Sequence, residues 1–113
     1  MFSYQSSTID WCESNYVYSN YIAEFWNTIS NILYIIVYFL SFHSFKYINC
    51  KQNDILLNTL LLSTGISSFY FHATLSLFGQ ILDEYSIVLL LTNTLLIIYQ
   101  EKYIHKILKL YLF

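Results

Sequence analysis

Three polar residues near the middle of the chain, Ser68, His72 and Asp83, lie in or at the edge of apolar segments. Ser68 and His72 are four residues apart, so they share one face if this segment is a helix. A buried imidazole next to a carboxylate can be a metal ligand with its orienting partner, or an acid/base pair. The alternative is a polar clamp between two helices, in which Ser68 bonds to its own backbone.

The relative depth of these residues follows from a short connection. Residues 76–79 are the only break between two apolar stretches, and Gly79 suits a tight reversal. Positions equally far from such a turn lie at similar depth, because a helix rises about 1.5 Å per residue. We therefore expect His72 and Asp83 to lie at the same depth, with Ser68 one turn further from the reversal.

A single histidine is too few for a catalytic zinc ion, which normally takes three protein ligands. His43 and His105 are predicted to lie toward the opposite ends of their helices, far from His72 in depth. The sequence contains no His-x-x-x-His pair. From these residues alone, a functional site and a structural clamp both remain open.

A second group of oxygen-bearing side chains lies near the N-terminus. It comprises Asp10, Glu13 and Asn15, followed nine residues later by Glu24. Carboxylate and amide side chains together with backbone carbonyls are the ligands that calcium prefers, although the EF-hand pattern is absent. The alternative is a solvated acidic loop, with Glu24 favoured by the dipole at a helix N-terminus.

The composition predicts an all-α membrane protein. Of 113 residues, 57% are hydrophobic, 20% aromatic and 11% charged, which is far from the balance of a soluble domain. Three stretches reach the length of about 20 mostly apolar residues that a membrane span needs, at residues 26–47, 55–75 and 80–99. We expect three transmembrane helices in a single domain. A net charge of −2 provides no basic surface, which excludes nucleic-acid binding.

The lysines predict the orientation of these spans. All five follow the first or the third predicted span, namely Lys46, Lys51, Lys102, Lys106 and Lys109. Such ends are cytosolic by the positive-inside rule, so residues 1–19 form an extracytosolic segment. The first twenty residues lack the basic start and apolar core of a cleavable signal peptide, so we expect the first span to direct its own insertion.

The N-terminal segment carries two further predictions. Ser19 or Asn20 is a candidate N-cap for a helix that starts at Tyr21 and continues into the first span. Cys12 and Cys50 are predicted to lie on opposite sides of the membrane and cannot pair with each other. Cys12 could bridge to a partner outside this chain; the alternative for each cysteine is a free thiol.

Several separate motifs, taken in order, resemble the alkaline ceramidase family. They are Asp-Trp-Cys-Glu-Ser-Asn at residues 10–15, Tyr-Ile-Ala-Glu-Phe-Trp-Asn-Thr-Ile-Ser-Asn at 21–31, Gly-Ile-Ser-Ser-Phe-Tyr-Phe-His-Ala-Thr-Leu-Ser at 65–76, and Gly-Gln-Ile-Leu-Asp-Glu at 79–84. The resemblance implies a seven-helix membrane amidase of the endoplasmic reticulum or Golgi. Such an enzyme cleaves ceramide to a sphingoid base and a fatty acid.

The resemblance also implies roles for individual residues. The implied calcium ligands are Asp10, the main-chain carbonyl of Trp11, Glu13, Asn15 and Glu24. His72 matches the first of the family's three zinc histidines, and Ser68 and Asp83 match the serine and aspartate beside that zinc. Zinc would lower the pKa of a bound water and polarise the amide carbonyl. Asp83 would then carry the proton to the leaving amine, and Ser68 would bond to the developing oxyanion.

The chain departs from the family at the zinc site. The family's other two zinc histidines lie one turn apart on its last helix, and this sequence, with three predicted spans, contains no such pair. We therefore expect a fragment, a truncated product or a degenerate copy, without activity of its own. The alternative is a non-catalytic membrane protein that binds calcium or lipid, or that associates with a full-length homologue or another membrane chain. A helical hairpin that conducts ions or protons through Asp83 and His72 is the least favoured function.

Overall fold

The computed structural model describes residues 4–45, 47 and 51–111; beyond residue 100 it describes the side chains of Lys102 and Tyr103 alone. Four helices follow one another, α1 (Phe25–Ser30), α2 (Ile32–Ser44), α3 (Gln52–Thr74) and α4 (Leu77–Tyr111). The described residues include no strand, only an isolated bridge between Ser6 and Ser76. The all-helical prediction is therefore confirmed.

The first helix starts at Phe25, so the prediction that it starts at Tyr21 is wrong. The backbone N–H groups of Ala23 and Glu24 donate to the carbonyls of Ala73 and His72, each at 3.0 Å. Residues that pair with the end of α3 in this way cannot also coil into a helix. The predicted cap Ser19 instead accepts a hydrogen bond from the backbone N–H of Tyr21 at 3.2 Å, within a turn.

Two helical segments among the described residues are long and apolar enough to cross a membrane, Phe25–Ser44 and Leu77–Gln100. The first combines α1 and α2, because the intervening Asn31 keeps right-handed helical dihedral angles. These segments overlap the first and third predicted spans. The second predicted span coincides with α3, which has 23 residues but several buried polar side chains, so its place across a membrane stays a prediction.

The reversal between α3 and α4 occurs at Leu75 and Ser76, so it overlaps the predicted break at residues 76–79, but Gly79 is not the turn residue. Leu75 adopts the left-handed conformation (φ 45°, ψ 38°), and its N–H donates to the carbonyl of Phe71. For a residue with a Cβ this conformation costs roughly 1–2 kcal/mol. Gly79 lies in the first turn of α4, where a Cβ atom would be 2.9 Å from Ser76 Oγ. Close packing, rather than backbone freedom, therefore accounts for this glycine.

α3 is the central helix, since α1, α2 and α4 all pack against it. The Asn58 amide on α3 donates to the carbonyl of Tyr38 on α2, and Gly65 of α3 lies against Tyr34 of α2. The later residue of α3 thus contacts the earlier residue of α2, so these two helices are antiparallel. The buried side chains of the described part are mostly polar. Only three apolar side chains of the described part are buried, whereas the buried polar ones include Thr28, Asn31, Asn58, Thr64, Ser68, Gln80, Asp83 and Ser86. Small polar residues at helix contacts are typical of helices that pack within lipid.

The segment before α1 is tied to the α3–α4 connection. Residues 4–8, here called the N-terminal strap, pair with it through Ser7 N–H to the Leu75 carbonyl and Leu77 N–H to the Gln5 carbonyl, both at 2.8 Å. Gln80 Oε1 accepts from the N–H and the hydroxyl of Thr8, at 2.8 and 3.1 Å. The strap thus fixes the acidic N-terminal segment close to the start of α4.

Some predictions concern residues outside this description. Lys46 and Cys50 lie outside the described residues, and the side chains of His105, Lys106 and Lys109 are outside it as well. Cys12 is an exposed free thiol. The predicted cytosolic position of the lysines and the separation of the two cysteines remain predictions.

Candidate functional site

Glu24 lies at the centre of the polar contacts where α1 begins. Its side chain is 0% exposed. One carboxylate oxygen contacts His72 Nδ1 and accepts a hydrogen bond from Asn27 Nδ2 at 3.1 Å. The other accepts from the backbone N–H of Trp11, also at 3.1 Å. A buried carboxylate requires such partners, because an unpaired charge away from water is strongly destabilising.

The fold brings these two residues together through the main chain as well. The backbone N–H of Glu24 donates to the carbonyl of His72 at 3.0 Å. Glu24 is the N-cap of α1, and His72 lies in the last turn of α3. The end of one helix and the start of another therefore hold the carboxylate and the imidazole in contact.

The Glu24 contact determines how His72 presents its ring. With Nδ1 directed at a carboxylate, a neutral imidazole carries its proton there and keeps the Nε2 lone pair available. This carboxylate–histidine arrangement is typical of metal-ligating histidines. His43 lies in the last turn of α2. Because α2 and α3 are antiparallel, it is at the opposite end of α3 from His72, as predicted.

Asp83 on α4 faces the same region. Its side chain is 7% exposed, and Oδ1 has no hydrogen-bond partner among the described residues. Ser68 and His72 on α3 lie close enough to interact with the Asp83 carboxyl group. The structure thus brings Ser68, His72 and Asp83 together across α3 and α4. A buried polar atom without a partner is uncommon, which makes this carboxylate a candidate for a role in the site.

The second predicted group is held by hydrogen bonds near the start of α1. Asn15 Nδ2 donates to both carboxylate oxygens of Asp10, at 3.2 and 3.1 Å. Glu13 accepts from the backbone N–H groups of Trp26 and Asn27, at 2.7 and 2.9 Å, and so caps the N-terminus of α1. The Trp11 N–H bond to Glu24 ties this segment to the start of α1. Among the described residues, however, the carboxylates of Asp10, Glu13 and Glu24 are not grouped so that they could hold a metal ion.

Comparison with known proteins decides the family. The family model described as Ceramidase matches residues 3–113. The chain belongs to the ceramidase family. It is 41% identical over 98 residues to alkaline ceramidase 1 of Mus musculus, 43% over 106 residues to the alkaline ceramidase of Drosophila melanogaster, and 44% over 94 residues to alkaline ceramidase 1 of Homo sapiens.

These matches cover 82%, 92% and 80% of this ceramidase-family chain, respectively. They cover only 35%, 38% and 35% of the relatives. The chain thus spans little more than a third of the length of the relatives it matches. The resemblance to alkaline ceramidases predicted from the motifs is confirmed.

The two metals implied by this family fit the described residues to different degrees. Among those residues, no three His, Cys, Asp or Glu side chains are grouped so that they could hold a metal ion. For zinc, the chain offers one histidine with an orienting carboxylate, which fills a single ligand position. For calcium, the donor set is of the right chemistry, since carboxylate oxygens that accept N–H bonds keep further lone pairs.

Sequence reasoning missed two features of this ceramidase-family site. The contact between Glu24 and His72 joins residues 48 positions apart, and no local spacing indicates it. Gln80 lies in the motif at residues 79–84, but no spacing in the sequence indicates its bonds to Thr8 and to Glu84 Oε1, the latter at 2.8 Å. The available signal in the sequence was a glutamine three positions before Asp83 in an otherwise apolar stretch.

Proposed function

We propose that this ceramidase-family chain contributes the N-terminal helices of a membrane amidase. The enzyme would hydrolyse the amide bond of ceramide to a sphingoid base and a fatty acid. One observation carries this proposal: Oδ1 of Asp83 is buried without a hydrogen-bond partner among the described residues, and the same carboxyl group interacts with Ser68 and His72 on α3. The proposed substrate class, ceramide, is taken from the names of the relatives.

The proposed setting is a bilayer crossed three times, in the endoplasmic reticulum or Golgi. α3 packs between the two apolar segments Phe25–Ser44 and Leu77–Gln100, and its buried face is polar. A helix of 23 residues is about 34 Å long, enough to cross the hydrocarbon core. The positive-inside rule supports a lumenal N-terminal strap and cytosolic lysines.

In the proposed reaction, water attacks the amide carbon, a carbon–oxygen bond forms and the carbon–nitrogen bond breaks. Asp83 accepts the proton of the water through its unpartnered oxygen and delivers it to the departing amine. The Ser68 hydroxyl stabilises the negative charge that develops on the carbonyl oxygen. His72 would contribute Nε2 to zinc, with the remaining ligands supplied by residues other than those described. When bound, zinc supplies Lewis-acid polarisation and a water of lowered pKa.

Calcium has a separate proposed role. Asp10, Glu13, Asn15 and Glu24 would bind it through side-chain oxygens, and Trp11 through its main-chain carbonyl. The support is that the Trp11 N–H bonds to Glu24 and that Glu13 accepts from two N–H groups of α1, so these residues hold the N-terminal segment to the start of α1. Calcium would strengthen that attachment.

A chimeric enzyme tests the catalytic proposal. Residues 1–113 would replace the matching part of the Drosophila alkaline ceramidase, and ceramide hydrolysis would be measured in membranes lacking other ceramidases. We expect hydrolysis by the chimera, its loss in Asp83→Asn and His72→Ala, and little change in Glu84→Gln, a neighbouring exposed carboxylate. A membrane-inserted chimera whose activity is unaffected by Asp83→Asn would contradict the role of this residue.

The second candidate is a non-catalytic membrane protein that binds calcium or lipid and associates with a full-length homologue. It is favoured by one contrast: the donors for calcium all lie within the chain, whereas the chain offers zinc a single histidine. Tagged chain and untagged full-length homologue would be expressed together and purified through the tag. Absence of the homologue from the purified material would remove the association proposal.

A further inference from the structure

Three aromatic rings form a patch on the surface where α1 begins. Tyr18, Phe25 and Trp26 contact one another, with ring centroids separated by 5.4, 5.6 and 5.4 Å. Trp26 is 58% exposed. These three residues are called the aromatic patch. None of its rings is needed by the site around His72, so the patch requires a separate explanation.

The loop that carries Tyr18 is closed and held outward. The backbone N–H of Tyr16 donates to the carbonyl of Ala23 at 2.7 Å, and Tyr16 adopts the left-handed conformation with φ 58°. Such a conformation is unfavourable for a bulky residue and persists only where the surroundings impose it. Val17 and Tyr21 project from this loop, and Tyr21 is 91% exposed. Residues 14–23 carry no charged side chain.

The aromatic patch continues into the apolar surface of the first candidate span. Trp26, Leu33 and Leu40 follow one another at intervals of seven residues, which places them on one side of a helix. Leu33 and Leu40 are 63% and 64% exposed, so this side faces away from α3. Trp26 therefore stands at the end of an apolar stripe that is long enough to follow the span into a bilayer.

We infer that the aromatic patch and the loop of residues 16–23 lie in the interfacial layer of the bilayer, between the lipid headgroups and the acyl chains. Tyrosine and tryptophan favour that layer because each ring joins an apolar body to a polar group. A loop without charges loses no ion solvation on entering it. The occupant of this surface is thus lipid. The inference rests on the membrane location in the proposed function, and it assigns an anchoring surface on the same side as the N-terminal strap.

Tryptophan fluorescence tests this inference, because the chain has only two tryptophans, Trp11 and Trp26. Trp11→Phe leaves Trp26 as the sole reporter. Two further variants carry both Trp11→Phe and Trp26→Phe. Adding Tyr18→Trp places the single tryptophan in the loop, and adding Leu33→Trp instead places it about 10 Å along the span from position 26. Each variant would be reconstituted in phosphatidylcholine vesicles containing lipids brominated either near the headgroup or near the chain end. Acrylamide serves as the aqueous quencher.

We expect Trp26 and the Tyr18→Trp reporter to be quenched at least about twofold more by shallow than by deep bromines. The Leu33→Trp reporter should show the reverse order. Two results would show that the anchoring inference is wrong although the first span crosses the bilayer, as deep quenching of the Leu33→Trp reporter would show. In the first, both patch reporters are quenched by acrylamide and not by brominated lipid. In the second, both are quenched by the deep bromines alone. If no reporter is quenched by lipid and the chain fails to float with vesicles, the membrane location itself is wrong.

Discussion

Glu24 and His72 are joined twice, once through the main chain and once through the side chains. The first contact is a hydrogen bond between the Glu24 N–H and the His72 carbonyl, and the second pairs the carboxylate with the imidazole. Because Glu24 also accepts a bond from the Trp11 N–H, a single buried carboxylate connects the predicted calcium ligands to the predicted zinc histidine. Any change at Glu24 should therefore affect both groups.

The first prediction concerns this carboxylate. Glu24→Ala leaves the imidazole, the Trp11 N–H and the Asn27 amide without their shared partner, and breaking a buried pair costs roughly 3–5 kcal/mol. Glu24→Gln should cost less, because its amide oxygen still accepts a hydrogen bond. Thermal unfolding in detergent with a chelator present, followed by circular dichroism, measures the Tm of each variant. Glu84→Gln, at an exposed carboxylate, is the control. Equal Tm values for Glu24→Ala and Glu84→Gln would contradict the central role of Glu24.

The second prediction concerns the N-terminal strap. Gln80→Ala removes the acceptor for both Thr8 bonds, so the strap should open more often while the helices persist. Hydrogen exchange at residues 5–8 should become faster, with exchange in the middle of α3 unchanged. Thr8→Ala removes the hydroxyl bond alone and should produce a smaller increase. Unchanged exchange at residues 5–8 in Gln80→Ala would show that backbone pairing with Leu75 and Leu77 is sufficient.

The third prediction concerns two glycines at close helix contacts. In an exposed helix a Gly→Ala change stabilises by up to about 1 kcal/mol. Here both changes should destabilise, by roughly 1–3 kcal/mol, because the added atom has no space. A Cβ at Gly65 would lie 2.5 Å from Tyr34 Cβ, and one at Gly79 would lie 3.0 Å from Phe71 Cα. Tm values should rank Gly65→Ala lowest and wild type highest. A Tm increase in either variant would show that the helices separate easily.

These examples show which parts of the structure the sequence could predict. Apolar length and helical spacing predicted the helices, and the short connection predicted that His72 and Asp83 face one region. The start of α1 and the left-handed Leu75 could not be predicted, because both depend on backbone pairing with distant residues. The Glu24–His72 contact has the same origin: it forms only once α1 packs against the end of α3.

The fourth prediction separates function from folding at Asp83. Asparagine has nearly the same shape as aspartate, and the substitution puts another polar atom in the place of the unpartnered Oδ1. Asp83→Asn should therefore leave the Tm of the chain almost unchanged. Its amide cannot accept the proton of an attacking water, so ceramide hydrolysis by the chimera should fall by a factor of about 100 or more.

Ser86→Ala is the matched control for Asp83→Asn. Ser86 bonds to Ser67 Oγ and to the Asp83 carbonyl, both at 2.8 Å, and so joins α3 to α4 without reaching the proposed reaction centre. Its loss should lower Tm more than it lowers hydrolysis, the opposite of the pattern at Asp83. A large fall in Tm for Asp83→Asn would instead identify this residue as the structural clamp that the sequence left open.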